Sequence, residues 1–180
     1  MTTTLSNAFT VDDLEAMPDD GRRYELIGGA IVMTPAPEPV HQRAGQGLFR
    51  LIDDACPPGH EVFLSPIDFD LPGGQRVQPD LVVVPHASVG EKRLSGPALL
   101  VVEIVSPGSV VNDRVTKREV YAEAGVPAYW IVDPRRGHLL ALRLVGPGYE
   151  PYAEGAGPVT LDWPVAVSFS VADLARPRAR

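Results

Sequence analysis

Residues 97–109, PALLVVEIVSPGS, constrain this chain more than any other stretch. A run this continuously apolar reads as a strand covered on both faces, which is the situation of a strand inside a layered sheet. Fourteen residues, NDRVTKREVYAEAG, follow shortly after as an amphipathic helix, with Val115, Val120, Tyr121 and Ala124 on or near one face and Gly125 as its stop. VPAYWIVDP then supplies a second β-rich run. Strand, helix and strand in this order make a βαβ unit with a parallel pair, so the chain is expected to be an α/β protein. Glu103 stands inside the first strand, where an unpartnered carboxylate is strongly unfavourable.

The other elements arrange themselves around that unit. TVDDLEAM opens like a short helix with Thr10 and Asp13 at capping spacing and stops at Pro18. YELI and AIVMT flank Gly28-Gly29, a hairpin signal. PVHQRAGQGLFRLIDDACPPG reads as a helix carrying Leu48, Leu51 and Ile52 at helical spacing. EVFLSPIDFDL and RVQPDLVVV are two extended runs joined by PGGQ and are expected to form a second hairpin. RRGHLLALRLV continues from VPAYWIVDP, and GPGYEPYAEGAGPVTLDW, rich in Gly and Pro, is expected to give short strands or turns. No linker divides the 180 residues, so one domain is expected over 1–180, with an acidic helical segment over 1–20 and a short tail over 172–180.

Charge separates the classes of partner. The formal net charge is −7, which disfavours nucleic-acid binding by broad attraction, yet Asp12, Asp13, Glu15, Asp19 and Asp20 account for −5 of it, leaving −2 for the remainder. A locally basic groove is compatible with such a body, and the acidic segment, next to Arg22 and Arg23, is a candidate mimic of nucleic acid lying over the site. Cys56 is the single cysteine, which excludes an intramolecular disulfide and a multi-cysteine zinc site. The N-terminus lacks a basic-then-apolar leader pattern and no apolar run is long enough to span a bilayer, so a cytoplasmic location is expected.

Asp80 heads the apolar run DLVVV as Glu103 interrupts its own. By alternation Glu103 shares a side with Val101 and Val105, and Asp80 begins a run able to pair beside it. Two carboxylates brought together repel unless a proton or a divalent cation lies between them, and oxygen ligands suit Mg²⁺ or Mn²⁺. On the helix, Asp113, Lys117 and Tyr121 recur every fourth residue along one stripe. A lysine pointing back to the carboxylates has the charge to orient an attacking water at a phosphodiester. Each residue also has a plain structural reading: Asp80 bonding backbone amides, Lys117 pairing with Asp113, His41 at a helix start, Glu25 in a hairpin. Tyr121 and Trp130 read as core and Arg135-Arg136 as an exposed turn.

Pro79-Asp80, a spacer, and Glu103 in an apolar strand before a helix resemble the PD-(D/E)XK nuclease superfamily. More narrowly, YELIGGAIVM, HQ opening a helix, QPDLVVV, VVEIVSP, D…K…Y and GVPAYWIVDP, in this order from Tyr24 to Asp133, are similar to the Uma-type putative restriction endonucleases, formerly a domain of unknown function. The resemblance implies a restriction-endonuclease-like fold, a central mixed β-sheet flanked by helices with additional hairpins. It implies a Mg²⁺-dependent (or Mn²⁺-dependent) endonuclease acting on nucleic acid, DNA ahead of RNA, with a homodimer suggested by symmetry statistics. Asp80 and Glu103 would hold the metal with the Ile104 carbonyl, Lys117 and Glu25 would complete the catalytic set, and His41, Asp113 and Tyr121 would line the site. Where the superfamily carries its lysine this chain has Val105, and Lys117 is the matching position one helix later. Two other classes compete: a non-catalytic module of the same fold that binds a partner, and a metal-independent hydrolase using the two carboxylates as acid and base.

Overall fold

The computed structural model describes residues 8–34, 36–106 and 115–177. Its central layer is a six-stranded mixed sheet built from β3 (His60–Leu64), β6 (Leu81–Pro85), β8 (Leu100–Ile104), β9 (Ala128–Asp133), β10 (His138–Val145) and β11 (Gly148–Ala156), in the order β11-β10-β9-β8-β6-β3. Only β8 and β9 run parallel in this sheet, and they are the expected βαβ pair, bridged by α3 (Lys117–Glu123). A second sheet contains β1 (Arg23–Ile27), β2 (Ala30–Thr34), β4 (Phe69–Leu71), β5 (Gln75–Val77) and β7 (Leu94–Ser95), ordered β2-β1-β5-β4-β7. Helices α1 (Val11–Glu15), α2 (Pro39–Asp54) and α4 (Val171–Leu174), with a β12 (Pro158–Leu161) and β13 (Val167–Ser170) ribbon, complete the layers.

Two apolar clusters show why β8 is apolar at successive positions. On one face, Leu100, Val102 and Ile104 meet Ala44, Leu48 and Ile52 of α2 and Phe169 of the ribbon. On the other, Val101 and Val105 meet Val120 and Tyr121 of α3 and Ile27, Phe69 and Val77 of the five-stranded sheet. The strand is therefore covered on both sides, and the two-residue period assigns its side chains to the two clusters as expected. α2 comes unusually close to β8 at Gly45, where an added Cβ would stand 3.3 Å from Ile104 Cδ1. That approach matters to the site, because His41 lies one turn earlier on the same helical face.

Several expectations hold residue for residue. Thr10 and Asp13 cap α1 reciprocally, Gly28 and Gly29 take positive φ in the β1–β2 turn, and Gly125 does so after α3. The two extended runs pair antiparallel as the expected hairpin, β4 with β5 next to the turn and β3 with β6 beyond it. Each run nevertheless breaks into two strands that enter different sheets, at Ser65-Pro66 between β3 and β4 and at Gln78-Pro79 between β5 and β6. Proline cannot donate to a ladder, and both breaks fall where one occurs. β11 is longer than the expected short pieces; it is an edge strand, so Pro151 is tolerated beside a register shift. Val115 is 55% exposed rather than packed with Val120, because it precedes α3 and borders an open groove with Tyr149. Asp113 lies outside the described residues.

The acidic segment does not cover Asp80 over its described part. Glu15 pairs instead with Arg76 and Arg93. Leu26 is in register with Arg76, so alternation along β1 puts that network on the face of the sheet opposite Glu25. No helix among the described residues is long and apolar enough to cross a membrane.

Candidate metal and phosphodiester site

β6 and β8 are antiparallel neighbours with Leu81 opposite Val102, and one further step sets Asp80 opposite Glu103. Cross-strand neighbours of this kind have β-carbons roughly 5 Å apart. Both carboxylates are almost wholly buried, as are Glu25 and Lys117. Four buried ionisable side chains from two sheets and one helix thus converge at one end of the β6–β8 pair.

Asp80 straddles the end of the sheet. Its Oδ2 accepts from the Ile104 backbone N–H at 2.8 Å and lies 3.1 Å from His41 Nε2, contributed by α2. An ionised carboxylate only accepts, so this contact fixes the imidazole proton on Nε2. Oδ1 faces Arg23, whose Nη1 is 3.5 Å away. Burial pushes the Asp80 carboxyl up, but the His41 contact, the Arg23 charge and the Ile104 N–H outweigh it and hold the group below the ordinary carboxylate range. A cavity of about 20 Å³ adjoins this carboxylate, bordered by His41, Gly45, Ser65 and Ile104, with room for about one water.

Glu103 is held from the helix that follows its strand. Its Oε1 accepts from Tyr121 Oη at 2.7 Å and from Lys117 Nζ at 3.0 Å. The same ammonium is 3.0 Å from Glu25 Oε1, so Lys117 bridges two buried carboxylates. Glu25 is fixed in turn by the Gln78 backbone N–H at 2.8 Å and by Thr34 Oγ1 at 3.2 Å. Burial, followed by the adjacent Glu103 charge, pushes the Tyr121 phenol well above its ordinary range, which keeps it a donor. Val105 is buried in the apolar cluster.

Of the residues singled out from sequence, Glu25, Asp80, Glu103, Lys117, Tyr121 and His41 are gathered here, and Ile104 contributes its N–H to Asp80. Among the described residues no group of three or more His, Cys, Asp or Glu stands ready to enclose a metal ion. Arg23, Thr34 and Gln78 also belong to the site, beyond the residues that the sequence singles out. Arg23 had a readable signal: it lies two residues before Glu25 on a strand, hence on the same face.

The model of the Uma2 family, described as "Putative restriction endonuclease", matches residues 11–172. The chain belongs to that family. Within the Uma2 family the match spans every residue of the site described above, from Arg23 to Tyr121. A solved structure of similar shape, "a putative nuclease belonging to DUF820" from Anabaena variabilis, has a TM-score of 0.70 at 20% identity, covering 93% of this chain and 97% of that one. At that identity the likeness speaks to fold: a mixed α/β architecture with mixed sheets and few helices. No curated protein matches the chain.

Proposed function

We propose that this Uma2 protein is a divalent-metal-dependent endonuclease with a restriction-endonuclease-like core, hydrolysing phosphodiester bonds of nucleic acid, DNA ahead of RNA. The observation that carries the reading is Lys117 Nζ at 3.0 Å from Glu103 with Val105 buried in apolar surroundings. An ammonium reaches the acidic centre from the following helix, and chemistry depends on where the charge ends, not on where its stem begins.

The donor set fits one oxygen-preferring ion. Mg²⁺ is commonly held through one or two carboxylates while keeping several waters, so the absence of a third acidic or imidazole ligand among the described residues is compatible with it. Asp80, Glu103 and the Ile104 carbonyl are the proposed ligands. Glu25, Asp80 and Glu103 carry −3 against +2 from Arg23 and Lys117, so these side chains retain one negative charge to attract a cation. Bound there, the ion supplies Lewis acidity and lowers the pKa of water.

The remaining work belongs to the chain. His41 and the Ile104 N–H keep Asp80 ionised, so its lone pairs are free of a proton at neutral pH. Tyr121 and Glu25 hold the Lys117 ammonium and the Glu103 carboxylate in fixed relation, sparing reorganisation when a substrate enters. Lys117 orients the attacking water and offsets charge growing on the phosphoryl oxygens.

The test is a panel of single- and double-stranded DNA and RNA incubated with Mg²⁺, with Mn²⁺ or with chelator. Cleavage should require the ion and fall by about 100-fold or more in Asp80→Ala and in Lys117→Ala. Full activity of Asp80→Ala, or cleavage that persists in chelator, contradicts the assignment.

A further inference from the structure

Among the described residues, Arg23 is the cation of the site that its carboxylates engage only loosely. Its side chain is 19% exposed, whereas those of Glu25, Glu103 and Lys117 are nearly sealed. Nη1 is 3.5 Å from Asp80 Oδ1 and Nη2 is 3.8 Å from Glu25 Oε1, both longer than a charge-assisted hydrogen bond, which runs about 2.7–2.9 Å. Nη1 also donates to Ser65 Oγ at 3.3 Å, and Nη2 to the Gln78 carbonyl. Nε is buried and has no hydrogen-bond partner. A buried donor left unsatisfied is unfavourable, and native structures avoid it unless a ligand, an ion or water completes it. Burial opposes the Arg23 charge, but Glu25 and Asp80 outweigh it, so the guanidinium remains a full cation.

A planar fork beside two carboxylates, partly open to solvent and with a donor to spare, has the geometry of an anion clamp. Guanidinium matches the paired oxygens of a phosphate in a way an ammonium does not. We propose that Arg23 is the phosphate-binding residue of this site: it rests against Asp80 and Glu25 in the free protein and turns to the non-bridging oxygens of an incoming phosphodiester. The proposal rests on the phosphodiesterase reading for its ligand class, and on the Arg23 contacts for the residue. It follows that Arg23 and the divalent cation compete for Asp80 in the absence of phosphate and cooperate in its presence.

The test uses the full chain, with inorganic phosphate and Mn²⁺ as probes, titrated calorimetrically into wild type, Arg23→Gln and Arg23→Lys after thermal unfolding has shown each to be folded. Arg23→Gln should bind phosphate at least tenfold more weakly while binding Mn²⁺ alone as tightly as wild type or more so, because a cation 3.5 Å from Asp80 has gone. Arg23→Lys should recover Mn²⁺ affinity of the wild type but only part of the phosphate affinity. Unchanged phosphate affinity in Arg23→Gln, or no phosphate binding by wild type, overturns the proposal. So does a parallel loss of both ligands with a lowered unfolding temperature, which marks a purely structural role. Phosphate binding that depends on Arg23 in a wild type that takes no Mn²⁺ supports the clamp while defeating the metal reading, so the two fail separately.

Discussion

Two arginines on the two faces of one sheet show how differently this molecule handles charge. Arg76 meets Asp70 through two nitrogens, at 2.5 and 3.2 Å, and Glu15 at 2.9 Å, with Arg93 supporting both carboxylates. Those carboxylates are partly open to water, 31% for Asp70 and 52% for Glu15. Arg23, opposite, faces nearly sealed carboxylates at 3.5 and 3.8 Å and leaves Nε unpaired. The Arg76 network is well matched and accessible to water, which is what fastening α1 to the sheet requires. Around Arg23 the burial is deeper and the matching poorer. Buried charges seldom increase stability over an apolar core, so retaining a loosely matched set points to use rather than support.

Removing Lys117 breaks that contrast most sharply. Lys117→Met leaves Glu25 and Glu103 buried without their shared cation, and unfolding in urea should show a loss of about 3–5 kcal/mol, partly restored by Mn²⁺. A smaller effect is expected from Tyr121→Phe, which takes one donor from a charged acceptor: about 2 kcal/mol by the same measurement. The Asp80 pKa is lower folded than unfolded, so its contribution is fully present above the unfolded value, about 4, and is lost as pH falls through the folded one. Wild type and Asp80→Asn should therefore converge in stability on acidification below about pH 4. Glu15→Gln should change stability by less than about 1 kcal/mol, since Glu15 is half open to water and the buried Arg76 keeps its two contacts to Asp70. An effect of Glu15→Gln as large as that of Lys117→Met would erase the distinction between the two faces.

Much of the site was legible because burial and charge conflict visibly in the sequence. Glu103 inside LLVVEIV and Asp80 ahead of LVVV announce themselves, and strand alternation places Glu103 on the Val101 and Val105 side, where it is found. Lys117 and Tyr121, four residues apart, fall on one helical face and both reach Glu103. What stayed hidden depended on chain direction. EVFLSPIDFDL has the pattern of one strand with Pro66 marking a break, but nothing local says that its halves enter different sheets. The same break at Gln78-Pro79 turns the Gln78 N–H toward Glu25, a contact no side-chain pattern encodes. Arg23 is harder to read: its spacing from Glu25 puts it on the same strand face, but beside Arg22 and a run of acids it looks like a surface charge, and only the fold buries it.

Calorimetric titration of Mn²⁺ into wild type and Asp80→Ala, in a non-coordinating buffer, tests most directly whether Asp80 and Glu103 form a divalent-cation site, whatever the substrate proves to be. About one ion per chain in wild type and none in the variant is the predicted result. No binding to wild type, or equal binding to both, would contradict it.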